Sequence, residues 1–136
     1  MLMTYDHLNS DELRGTTQAD YLVALDADFR MEENNGVLIY RESAFPVVEF
    51  ARHLLIWLND PNRGDFEFNS MSFEEPASVA LRHTKSGWTF TSIFAPGRSS
   101  VPVGWTEVER CSRAFVSRVE RDLVALGLEP GALLRN

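Results

Sequence analysis

Between residues 65 and 94, apolar and polar side chains alternate in three short runs. Phe66 and Phe68 alternate with Glu67 and Asn69, Val79 and Leu81 with Ala80 and Arg82, and Trp88 and Phe90 with Thr89 and Thr91. A period of two sends one face of a strand to a core and the other to water. The stretch therefore predicts three antiparallel strands. The break T-K-S-G at 84–87 supplies a hairpin loop ending on a residue that tolerates positive φ. The same period fits residues 20–31, with Tyr21, Val23, Leu25, Ala27, Phe29 and Met31 on one face and Asp20, Asp26, Asp28 and Arg30 on the other. E-E-N-N-G at 32–36 then predicts a second hairpin returning along Val37–Arg41, and a further short strand is expected near Met3–Leu8.

Two segments switch to the helical period. Over 44–59, Val47, Ala51, Leu54 and Leu58 fall on one line, flanked by Val48, Phe50, Leu55 and Trp57. Ser43 is the expected N-cap, with Pro46 in the first turn. Glu49, Arg52, His53, Asn59 and Asp60 are expected to face water, with Ile56 among them. The second helix is expected from Thr106, where Thr106 and Glu109 have the spacing of a capping box. Its apolar stripe is Val108, Cys111, Phe115, Val119, Leu123 and Leu126; Gly127 and Pro130 end it. The resulting order, β-β-α-β-β-β-α with an optional N-terminal strand, predicts an α+β fold. The expectation is one antiparallel sheet of five or six strands with two amphipathic helices on one face, forming a single domain over 1–136.

Charge changes what this scaffold is expected to meet. The net charge is −7, with fifteen carboxylates against five arginines in residues 1–75 and five against eight basic residues in 76–136. This balance disfavours general nucleic-acid or anionic-membrane binding and fits a partner with a basic surface. The start lacks the basic and apolar regions of a signal peptide, and no apolar run reaches the ~18 residues of a membrane span, so a cytoplasmic location is expected. One cysteine, Cys111, excludes an internal disulfide.

Candidate chemistry is sparse. Glu74 and Glu75 are adjacent carboxylates, but neighbours on an extended chain point apart, which fits poorly with paired acid–base work across a cleft. Asp26, Asp28 and Glu67 share the expected outer face without the spacing of a cation loop. His7, His53 and His83 are scattered, and no zinc ligand set, phosphate loop or nucleophile elbow occurs. Cys111 falls on an apolar stripe and reads as core. Arg63-Gly64-Asp65 is too short a motif to carry meaning in a turn, and Arg118 is expected to pair with Asp122. No catalytic residue, cofactor or metal is expected. The candidate partner-binding residues are Asp26, Asp28, Glu67 and Glu75, as one acidic face, and Ile56 as an isolated exposed apolar side chain. The alternative is a ligand-binding or enzymatic pocket between sheet and helices, lined by Trp88, Trp105, Phe94 and Tyr40.

The segments F-E-F-N-S-M-S-F-E-E-P, S-I-F-A-P, W-T-E-V-E-R-C and D-L-V-A-L-G-L-E-P resemble a family of small acidic bacterial proteins of uncharacterised role, from about Asp20 onward. The resemblance implies no catalytic residue. In size, acidity and α+β make-up the chain is also similar to immunity proteins of bacterial toxin systems. That likeness implies a non-enzymatic protein that binds and neutralises a toxin; the expected role is that or another regulatory binding role, the remaining alternative being a domain with no separate activity.

Overall fold

The computed structural model describes residues 1–11, 13–72 and 78–135. The elements run β1 (Leu2–Asn9), α1 (Gln18–Ala24), β2 (Asp26–Glu32), β3 (Leu38–Phe45), α2 (Val47–Asn59), β4 (Phe66–Phe68), β5 (Val79–Thr84), β6 (Gly87–Thr91), α3 (Trp105–Ala125) and α4 (Pro130–Leu134). The fold is α+β, but the strands form two antiparallel sheets of three, β1-β2-β3 and β4-β5-β6, and not one sheet of five or six. Strand periodicity specifies which face is buried; it does not specify the neighbour. The two sheets meet through side chains: Phe45 touches Phe68 at 5.6 Å and Tyr40 touches Phe90 at 6.1 Å between ring centroids.

The three strands form where the alternation places them. Phe66, Phe68, Val79, Leu81 and Phe90 are buried, with Phe66 opposite Leu81 and Leu81 opposite Phe90, but Ala80 and Thr89 on the expected wet face are buried as well and Trp88 is only partly buried. Gly87 at φ 131° closes the β5–β6 hairpin, where a Cβ would come within 2.7 Å of the Val103 carbonyl. In β2 the alternation holds from Asp26 onward, burying Ala27, Phe29 and Met31. Residues 18–24 are helical and not the start of that strand. The run Y-L-V-A-L is apolar throughout, so its fit to period two discriminated nothing. Thr17 and Asp20 decide the matter through a capping box in which each side chain takes the other residue's backbone N–H.

Helix α2 starts at Val47 because the chain before it stays in the sheet. Phe45 pairs with Ala27 and stacks on Phe29 at 4.4 Å, so Ser43 is a strand residue and Pro46 occupies the N-cap. Helix α3 starts at Trp105 with Gly104 at the N-cap and no side-chain cap. A two-way backbone bridge between Trp88 and Val103 delivers the chain one residue ahead of the Thr106 expectation. Glu109 therefore pairs with Arg113, at 3.3 Å. The helix ends as expected: Gly127 lies at φ 78°, and the Leu128 N–H reaches the Leu123 carbonyl. Leu126 falls past the last turn and is exposed. Helix α4 was not foreseen; Glu129 caps it and it buries Leu133 and Leu134.

Phe50 sits at the centre of the core. Its ring meets Phe29 and Phe45 from the first sheet, Phe66 and Phe68 from the second, and Phe115 from α3, all within 5.8 Å. Edge-to-face pairs of this kind add to the about 1.5–3 kcal/mol that burying a large apolar side chain contributes. Phe50→Ala is expected to cost about 3–5 kcal/mol, read as a lower urea midpoint, while Val124→Ala on the exposed side of α3 stays within about 0.5 kcal/mol.

The capping box of α1 gives a pH signature. Hydrogen bonds from Thr17 hold the exposed Asp20 carboxyl below its ordinary value of 3.8. A carboxyl lowered on folding stabilises the fold above its unfolded pKa and loses that contribution as pH falls through the folded one. Asp20→Asn is expected to lower the unfolding midpoint at neutral pH, with the gap to the native chain closing on acidification.

Candidate functional site

The short turn 60–65 joins the end of α2 to the start of β4 and brings two acidic residues, Asp60 and Asp65, to one place. Between the helix and the strand lies an open groove lined by His53, Ile56, Trp57 and Asp60 on one side and Asp65, Phe66 and Glu67 on the other. Trp57 and Phe66 form its apolar floor, 5.4 Å apart. The Trp57 indole N–H donates to the Gly64 carbonyl at 2.9 Å and ties the turn to the helix. Ile56 stands above this floor, 55% exposed. Arg82 from β5 lies 2.8 Å from Glu67 and 3.9 Å from Asp65 and offsets part of the rim's charge.

The structure thus brings two of the sequence candidates, Ile56 and Glu67, into one groove. Asp26 and Asp28 lie on β2, in the other sheet. Asp28 accepts a 3.0 Å contact from His7 Nδ1 and borders a shallow pocket with His7, Asp11, Asp26 and Ala44. His7 and Ala44 have φ 58° and 53° and mark bulges on either side of β2. Glu74 and Glu75 lie outside the described residues.

Two other side chains on α2 differ from expectation. Glu49 is buried, not water-facing: its carboxylate accepts the Ser70 hydroxyl and, at 3.0 Å, the Met71 N–H. It fixes the chain where β4 ends. Its partners lie 21 and 22 residues away in sequence, so helical phase alone placed it at the wet edge. His53 is half-buried, its ring edge-on to Phe68 at 5.3 Å. Burial pushes its pKa below the ordinary 6.5, with Glu49 working the other way. Asp60 and Asp65 were missed as a pair; the brevity of the D-P-N-R-G-D turn was the available signal.

The four aromatics of the alternative pocket do not gather. Trp88 and Trp105 pack on Trp57 at 5.7 and 5.4 Å and on each other at 5.5 Å, with the Arg63 guanidinium 4.0 Å above Trp105 and the His83 ring stacked on Trp88. Tyr40 and Phe94 line a separate groove beside β3. Cys111 is buried and packs as a core group, and that burial pushes its thiol up to about 11. Arg118 pairs with Asp122 at 3.8 Å as expected, and Asp122 also accepts the Tyr5 hydroxyl. Among the described residues no group of His, Cys, Asp and Glu could hold a metal ion, and no helix is long and apolar enough to cross a membrane.

The family profile "Domain of unknown function (DUF7878)" matches residues 1–125, and the chain belongs to that family. No curated protein and no solved structure matches it.

His53 supplies a test of the groove wall. Its folded pKa is below the unfolded value, so the unfolded chain takes the proton first as pH falls. Stability is full above 6.5 and drops below it until the folded pKa is passed. In urea titrations over this range His53→Gln is expected to lose less stability on acidification than the native chain.

Proposed function

We propose that this domain acts by binding a protein with a basic surface at the groove between α2 and β4, and performs no chemistry of its own. Ile56 carries the reading. A single exposed apolar side chain is ordinary, but this one stands over an apolar floor with Asp60, Asp65 and Glu67 around it. An apolar anchor within a charged rim is the anatomy of a protein-binding patch. The rim carboxylates would steer a basic partner and fix its register, since exposed charges raise association rates more than they add affinity. Asp26 and Asp28 on the other sheet would add only long-range field, screened over about 8 Å at physiological salt. The partner class that fits best is a toxin whose basic cleft receives an anionic substrate, met in the cytoplasm of a bacterial cell, in keeping with the immunity-like size and acidity of the chain.

The immobilised domain is expected to retain a stoichiometric protein partner from its own cells, released by salt and lost in both Ile56→Arg and Glu67→Lys. With the purified partner, Glu67→Lys slows association and flattens its salt dependence. The fold survives, because exposed substitutions shift stability by within about 0.5 kcal/mol. A partner held equally by both variants would remove the contact from this groove.

A further inference from the structure

A second groove, of about 340 Å³, runs along β3. Five consecutive strand residues, Leu38–Glu42, form one wall, and the loop at 94–98 forms the other. Successive side chains of a strand point to opposite faces, so a groove that touches all five follows the strand's edge and not one of its faces. That edge is open. Among the described residues β3 pairs only with β2, and no group outside β2 hydrogen-bonds to the backbone of Leu38–Glu42. An open edge presents a row of N–H and C=O groups ready to take another strand.

The side chains around the edge define what it would take. Leu38 and Phe94 are exposed, 38% and 43%, and give the groove an apolar lip. Arg41 and Arg98 are exposed and line the same groove. Several other arginines are paired with carboxylates, Arg30 with Asp6 and Glu32, Arg82 with Asp65 and Glu67, and Arg118 with Asp6 and Asp122. Arg41 and Arg98 have no carboxylate partner among the described residues. Among the described residues Glu42 is the one acidic group in the lining, and the Tyr40 hydroxyl donates to it at 3.3 Å. In a chain of net charge −7 this is a locally basic, partly apolar slot. A second copy fits it poorly: symmetric pairing along β3 would bring two Arg41 side chains into one seam.

We propose that the β3 edge is a docking site for an extended acidic peptide segment of another protein, added as a fourth strand to the first sheet. Main-chain hydrogen bonds to Leu38–Glu42 supply the affinity. An apolar side chain on the lip formed by Leu38 and Phe94, and carboxylates on Arg41 and Arg98, supply the selectivity. This surface is distinct from the acidic groove beside β4 and takes a ligand of the opposite charge, so it stands whether or not that groove binds a basic protein.

The probe is a blocked peptide of about eight residues alternating Glu and Val, titrated into the intact domain and followed by amide NMR. The expected result is shifts at residues 38–42 with slowed hydrogen exchange on the β3 edge, affinity that falls about tenfold or more in Arg41→Glu with Arg98→Glu, and binding lost when alternate peptide nitrogens along one edge are methylated. The methylation arm needs no substitution in the protein, so it holds even if the double variant misfolds. Equal binding by the methylated peptide, equal binding by a Lys–Val counterpart, absence of binding by the Glu–Val peptide, or shifts confined to other residues would each overturn the proposal. So would a dimer of the native domain that the peptide cannot displace from this edge.

Discussion

Phe50 holds two separate sheets against one helix. The two sheets share no strand pairing and touch through rings, Phe45 with Phe68 and Tyr40 with Phe90. The ring of Phe50 reaches Phe29 and Phe45 on one side and Phe66 and Phe68 on the other, and Phe115 closes it from α3. The arrangement depends on α2 having most of its side chains inside. Nine of its thirteen residues are buried, Glu49 among them, so the helix has little surface left over. What remains outside is therefore conspicuous, and Ile56 is part of it.

The same burial explains why the grooves lie where they do. Helix α2 is central, so its far end must come out beside the sheet it supports, and the turn at 60–65 leads directly into β4. A cleft between helix end and strand edge follows from that connection, with Asp60 and Asp65 at its corners. The groove beside β3 arises differently. The loop after β6 leans against Tyr40 without hydrogen-bonding to the β3 backbone, leaving a slot between loop and strand edge. One groove is acidic and the other is basic at Arg41 and Arg98, although the chain as a whole is acidic.

Much of this was legible in the residues. Phe66, Phe68, Val79, Leu81 and Phe90 announced both their strands and their buried face, because a half-buried strand has to alternate. Val47, Ala51, Leu54 and Leu58 announced α2, and Gly127 announced the end of α3. The partition into two sheets was not legible, since the side-chain pattern of an edge strand and that of an inner strand with one wet face are alike. Helix α1 hid in Y-L-V-A-L, where every position is apolar and only the Thr17–Asp20 spacing distinguished helix from strand. At the site, Ile56 was visible as an apolar residue on a polar arc and Glu67 as an outward carboxylate. Their shared groove depended on the turn between α2 and β4, and the role of Glu49 depended on Ser70 and Met71, 21 and 22 residues along the chain.

The clustering of Trp57, Trp88 and Trp105 has an optical consequence. These are all three tryptophans of the chain, and every pair lies within 5.7 Å. At such separations the indoles exchange excitation energy and behave as one chromophore. Emission excited at the red edge of absorption then reports a single junction, where α2, β6 and α3 meet, and is blind to the β1-β2-β3 sheet, whose ring chromophores are tyrosines and phenylalanines. Fluorescence and far-ultraviolet dichroism thus watch different parts of the molecule. Coincidence of the two during unfolding would mean that the first sheet and the tryptophan junction come apart together; a lag between them would reveal that the sheets can part company while one still stands.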